Sequence, residues 1–172
     1  MNLRRLALLC APLLLLWAIQ TEVNHFLSSR QLFFFAGGLY VAFIALTQPF
    51  GAGLAAVLIA GLACDANVPV AFGTHAALFG FAHNIIHRMR DRIPKEDAVA
   101  GTLLALFTNF GLFLVFVAIL SPGGAAHLPR LAADLVCSQV LVALAAPWFA
   151  ALQSRFIDLV ETALALRAER LR

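Results

Sequence analysis

Charge is what this sequence has least of. Of its 172 residues only 12% are Asp, Glu, Lys or Arg, while 62% are hydrophobic and the mean hydropathy is +0.91. A soluble domain of this length would carry about twice that share of charge, so the composition excludes an ordinary water-soluble fold. Cysteine is also scarce: Cys10, Cys64 and Cys137 all fall inside apolar runs. An odd number with no CxxC spacing excludes a disulfide framework and a zinc site, and leaves three small buried hydrophobes. Low-complexity linkers, an internal repeat and a separate polar domain are missing as well. So are a GxSxG elbow and an HExxH helix, which removes the commonest hydrolase signatures.

What is present is six apolar stretches, at residues 6–20, 32–47, 51–64, 73–86, 98–120 and 131–152. If each crosses a bilayer and the chain starts in the cytoplasm, the basic residues sort by side. Arg4, Arg5, Arg88, Arg90, Arg92, Lys95, Arg155, Arg167, Arg170 and Arg172 lie inside, and Arg30 and Arg130 outside. Basic residues concentrate on the cytoplasmic side of membrane proteins, so this asymmetry orients the chain. The expected fold is an all-α polytopic membrane protein of six short transmembrane helices with both termini cytoplasmic. A five-pass fold with a re-entrant third segment is the rival, and it would expose a basic loop or tail outside. The second, third and fourth stretches are short against the roughly 20 residues a span needs, so thinning or polar ends inside the bilayer are expected. No small-residue cleavage site follows the first stretch, where Thr21-Glu22-Val23-Asn24-His25 is polar, so it is read as a retained helix. The net charge of +3 sits on cytoplasmic loops, where anionic lipid headgroups suffice as partners and nucleic acid is not needed.

Residues 1–152 thus form the transmembrane domain and 153–172 a cytoplasmic tail. In the tail Phe156, Leu159, Val160, Ala163 and Leu164 share one helical side, opposite Asp158, Glu161, Glu169 and the arginines. Such an amphipathic helix lies on a membrane surface or docks on a partner, or is the solvated end of the last span.

Helical spacing makes the third and fourth stretches the most informative. Gly53, Val57, Gly61 and Asp65 fall four apart and form one row, with Ala52, Ala56, Ala60 and Cys64 beside it. Small residues in rows let another backbone come close, which is how helices pack where lipid supplies no hydrophobic drive. His75, Phe79, His83 and His87 make a row on the next helix, with Gly73, Ala76, Ala77 and Gly80 alongside. The short loop at 65–72 brings Asp65 beside His75. Asp65 has two readings: a turn with Asn67 before Pro69 in the headgroup region, or a pair with His75, since ionisable groups at membrane depth are usually partnered. His83 and His87 at i, i+4 have the spacing of a metal pair but no third ligand, and read as interfacial residues beside Arg88. Asn109, central in the fifth stretch, should hydrogen-bond across helices, with Gln139 the natural candidate opposite. Asp134, after Pro129, is read as lying in the first turn of the sixth helix and suiting its positive end.

The run Gly53-x7-Gly61-x3-Asp65-x7-Gly73-x-His75-Ala76 resembles MreD, the bacterial rod shape-determining membrane protein family. In that family a Gly-rich third helix ends in Asp and a short loop leads to a Gly-x-His/Asn-Ala start of the next helix. The run covers about 25 residues, and hydropathy and length match elsewhere. The resemblance implies a non-enzymatic adaptor of the cell-elongation machinery in the bacterial inner membrane, without cofactor. Its implied partners are MreC, the RodA glycosyltransferase, a class B penicillin-binding protein and the actin-like MreB. The residues expected to carry packing and partner contacts are Gly53, Gly61, Asp65, Gly73, His75, Asn109, Phe156, Leu159 and Val160. Two alternatives differ in class. Six short helices are also similar to the substrate-capture subunits of energy-coupling-factor vitamin transporters, whose outward-open polar pocket Asp65, Asn67, His75 and Asn109 would line. An aspartyl dyad of Asp65 and Asp134, like that of lipoprotein signal peptidase, would make an intramembrane enzyme, but Leu131-Ala132-Ala133 precedes Asp134 where that family has an Asn-x-Ala-Asp style motif.

Overall fold

Apolar stretches become helices because a backbone in lipid must satisfy its own hydrogen bonds. The structure is a computed structural model that describes residues 3–94, 97–120 and 128–169. Its six helices are α1 (Leu3–Ser28), α2 (Gly37–Thr47), α3 (Phe50–Asp65), α4 (Thr74–Met89), α5 (Ala98–Leu120) and α6 (Leu128–Glu169), with one 3-10 turn at Arg90–Arg92 and no strand among the described residues. Three helices, α1, α5 and α6, are long and apolar enough to cross a membrane. In their most apolar windows only 22–28% of residues are buried within the chain. Their large side chains therefore face outward: Phe107 is 73% exposed and Trp148 80%. An apolar belt of this extent is tolerable in hydrocarbon and not in water. The chain is a helical membrane protein.

Contacts run from α1 to α3, α4, α5, α6 and back to α1, closing a ring. Inside it stands α2, which touches α3, α4, α5 and α6 and buries nine of its 11 residues. The bundle has two ends. One carries the α3–α4 loop and the start of α6, and is called here the Asp65 end. The other carries Gln48 and the Arg90–Arg92 turn, the Arg90 end.

The second stretch departs from expectation. Residues 32–36 are extended, and helix begins only at Gly37. Eleven helical residues reach about 16 Å and five extended ones add about 16 Å, so together they match a hydrocarbon core of about 30 Å. Three consecutive phenylalanines favour extended backbone, and the deciding factor is polar side chains from three other helices. Asp134 Oδ1 accepts from the Phe33 N–H at 2.8 Å, and Ser138 Oγ accepts from Phe35 N–H at 2.9 Å. Asn24 grips both sides of Phe34, its Oδ1 accepting from N–H at 2.7 Å and its Nδ2 donating to C=O at 3.0 Å. Gln20 Nε2 donates to the same carbonyl at 3.3 Å. Asn109 Oδ1 accepts from Gly38 N–H at 3.1 Å. Non-helical backbone among apolar helices survives only when it is enclosed in protein and hydrogen-bonded this way.

Four expectations are corrected here. Helix α1 runs on through Thr21–Ser28, placed outside the first span by its polarity; Gln20 and Asn24 are polar because they serve the extended segment. Asn109 does not pair with Gln139: it holds Gly38, while Gln139 Nε2 donates to Leu106 C=O at 3.2 Å. Asp134 lies beyond the first turn of α6, which starts at Leu128, and it is buried on Phe33 rather than serving the helix end. Finally, residues 32–36 are not helix. Helix α6 continues unbroken across position 152 as far as Glu169. Phe156 is half-buried there, while the side chains of Leu159 and Val160 lie outside the described residues.

Replacing Ser138 with Ala should leave the Phe35 N–H, which is buried, without its acceptor. We expect a loss of about 1–3 kcal/mol, read as an earlier unfolding midpoint in detergent, with insertion unchanged.

Candidate functional site

The α3–α4 hairpin is built from small residues at the positions where backbones meet. A Cβ on Gly61 would lie 2.5 Å from Ala76 Cα, and one on Gly53 2.6 Å from His83 Nε2. The row Gly53, Val57, Gly61, Asp65 therefore faces α4 within this chain, where His75 and His83 meet it and Phe79 turns to Tyr40 of α2; all seven row residues are buried. Ala52, Ala56, Ala60 and Cys64 are buried too.

Asp65 closes the hairpin. Its Oδ1 accepts from His75 N–H at 2.9 Å and lies 2.8 Å from His75 Nδ1, and its Oδ2 accepts from Gly73 N–H at 2.9 Å and Ala76 N–H at 3.4 Å. A carboxylate from the end of one helix thus caps the start of the next, where the N–H groups are unpaired and the dipole is positive. The loop can deliver this cap because Gly73 adopts φ +99°, a left-handed conformation that glycine takes at little cost. A carboxylate oxygen accepts, so in this pair Nδ1 of His75 is the donor. His75 is 2% exposed and packs on Phe116 at a centroid distance of 4.6 Å and on Phe79 at 5.8 Å. Of the two readings of Asp65, the His75 pair is the one formed. Asn67 turns away and donates to Thr21 Oγ1 at 3.1 Å.

A cavity of about 320 Å³ opens at this end. Trp17, Gln20, Thr21, Asn24 and His25 of α1 line one side, Phe33 lies in the extended segment, and Cys64, Asn67, Val68 and His75 close the other side. Of the four residues expected in an outward pocket, Asn67 and His75 are in the lining. Asp65 stands behind His75, and Asn109 is at the α2–α5 contact instead. The α1 contribution was missed in the sequence; its signal was Gln20 and Asn24 four apart on a helix otherwise read as ending there.

The remaining sequence candidates lie apart. His83 and His87 are stacked, with ring centroids 5.7 Å apart, and His83 is fully buried. His87 Nδ1 is 3.3 Å from the Ala45 carbonyl and Arg90 donates to the Gln48 carbonyl at 3.3 Å, so the end of α4 covers the carbonyl end of α2. Asp65 and Asp134 do not share a hydrogen bond: each holds its own backbone segment. A second cavity, of about 300 Å³ and mostly apolar lining, lies toward the Arg90 end between α2, α5 and α6. Comparison with family models, with curated proteins and with solved structures finds no match to this chain.

Proposed function

We propose that this protein is a non-enzymatic adaptor of the bacterial cell-elongation and peptidoglycan-synthesis complex, resembling MreD, in the cytoplasmic membrane. It crosses six times with both termini inside, and the Asp65 end faces out. The observation that carries this reading is that the residues of the Gly53–His75 run work as one device. Gly61 admits Ala76, Gly73 turns the loop, and Asp65 caps α4 and holds His75. The spacing on which the resemblance rests thus has a joint physical purpose, which chance glycines in a membrane helix would lack. Arg88, Arg90 and Arg92 gather at the opposite end, which supports the orientation. The short second crossing is supported by the combined length of residues 32–36 and α2. The tail from 153 onward, with Phe156, Leu159 and Val160, is assigned to docking on the cytoplasmic side.

The test is capture of the chain from native membranes. MreC should co-purify, with the RodA glycosyltransferase and the class B penicillin-binding protein following and MreB reached through them, and depletion should cost the cell its rod shape. Reporters active only outside should be silent in the 88–97 loop and at Arg172, and active at 121–130. Normal rod shape after depletion with no MreC captured overturns the adaptor, and activity at Arg172 overturns the six-pass topology. A second reading, a vitamin-capture subunit of energy-coupling-factor type, is favoured by the cavity at the Asp65 end, whose lining includes Gln20, Asn24, Asn67 and His75.

A further inference from the structure

The cavity of about 300 Å³ between α2, α5 and α6 offers a ligand almost nothing to hydrogen-bond. Each hydroxyl of its lining is turned onto its own helix: Thr47 Oγ1 donates to Phe43 C=O, Thr102 Oγ1 to Ala98 C=O and Ser154 Oγ to Ala151 C=O. The floor is Leu39, Ala42, Ala105 and Ala146, all buried. A missing side chain keeps the space open, since a Cβ on Gly101 would have nothing within 4 Å. A void in a packed interior forfeits contacts along its walls, so this one favours an apolar occupant. Pro147 and Ala151 in the lining are exposed, so the cavity opens sideways, where lipid lies. Its polar mouth is at the Arg90 end, where Thr47 and Asp97 are exposed. Leu39 lies about 12 Å from Thr47 along α2, close to the depth of one leaflet's hydrocarbon, half of about 30 Å. Asp97 brings charge to the mouth: its Oδ1 accepts from Val99 N–H at 2.8 Å, while Oδ2 bonds none of the described residues.

We propose that this cavity is a binding site for one phospholipid with an ethanolamine headgroup. One acyl chain lies between α2, α5 and α6, and the ammonium group meets Asp97 Oδ2 at the mouth. A chain that passes from bilayer to cavity stays in hydrocarbon and supplies the contacts that the lining lacks. A fatty acid would instead set its carboxylate beside Asp97, and phosphatidylglycerol brings no cation to it. The inference goes beyond the adaptor reading and is independent of it, since it needs only a helical membrane protein.

The experiment takes the full chain in mild detergent and counts bound lipid by native mass spectrometry, with phosphatidylethanolamine and phosphatidylglycerol of identical chains as probes. We expect one phosphatidylethanolamine to survive washing that strips the other lipids. It should be held about two- to fivefold more tightly than phosphatidylglycerol, the strength of one exposed ion pair. Asp97→Asn keeps an oxygen to cap α5 and should erase that preference without loss of the lipid. Gly101→Leu should cut retention by about tenfold. Its unfolding midpoint in lipid-free detergent should be no lower, because the new side chain enters open space. A phosphatidylethanolamine with a photoreactive group in mid-chain keeps the test decisive on the wild-type chain if Gly101→Leu does not fold. It should label residues 39–46 of α2, all buried but Phe43, which lie inside the ring and reach lipid through the cavity. Label confined to exposed positions such as Phe107 and Val136 would mean boundary lipid only, and overturns the site. Equal retention by Gly101→Leu overturns it too, as does equal holding of the two headgroups by the wild-type chain.

Discussion

Gly38→Ala should be the most damaging single change in this protein. A Cβ at that position would fall on the Ala105 carbonyl oxygen, with the Asn109 backbone N and Cβ both 2.8 Å away. These are backbone atoms and the root of a side chain in α5, so rotamer changes cannot make room. The α2–α5 contact must part, and with it the Asn109 Oδ1 bond to Gly38 N–H. Because α2 is the centre of the ring, the displacement reaches α3, α4 and α6 as well. We expect the variant to insert, since the hydropathy of the spans is unchanged, but to lack a cooperative unfolding transition and to be cleared by membrane proteases. Wild-type abundance with an unshifted unfolding midpoint would show that α5 does not approach α2 this closely. Gly51→Ala is the control, because nothing lies within 4 Å of a Cβ there.

Asp65→Ala should follow in severity. It removes the acceptor for Gly73, His75 and Ala76 N–H and the partner of His75 Nδ1 together. Leaving a buried donor without its acceptor typically costs about 1–3 kcal/mol, and here several donors lose theirs at once. The start of α4 should fray, with faster amide exchange at residues 73–76, while exchange in α5 changes little. Asp65→Asn should be milder: its amide oxygen accepts on the Oδ1 side, but its NH2 cannot accept from Gly73 and Ala76. If Asn and Ala variants lose equal stability, acceptance by the carboxylate is not what holds the hairpin. Gly61→Leu, at the Ala76 contact, should force α3 from α4 by packing and strain the Asp65 bonds to His75 and Ala76 N–H with it.

The sequence made the hairpin legible because both of its devices are local. Rows of small residues four apart imply close approach of a neighbour, and a short loop leaves few places for that neighbour to be, so the sequence alone places Gly53, Gly61, Asp65, Gly73 and His75 together. Asn109 was legible in kind and not in partner. An amide in mid-membrane must bond to something, but nothing in the sequence signals Gly38, because backbone N–H groups are ordinarily taken up by their own helix. Asp134 was misplaced for the same reason: nothing near it in the chain signals that Phe33, 101 positions earlier, presents an unpaired N–H.

The membrane setting, the helical class and the number of apolar stretches were determined by sequence alone, since they depend on composition and on the period of a single helix. The unwound segment at 32–36, the central position of α2 and the cavity beside α1 were decided only by tertiary structure. An extended segment packed among apolar helices, with no water to bond its backbone, is prohibitive in isolation. It becomes affordable only when Asn24, Asp134, Ser138 and Asn109, from three helices remote from one another in sequence, arrive together to replace the hydrogen bonds a helix would have made.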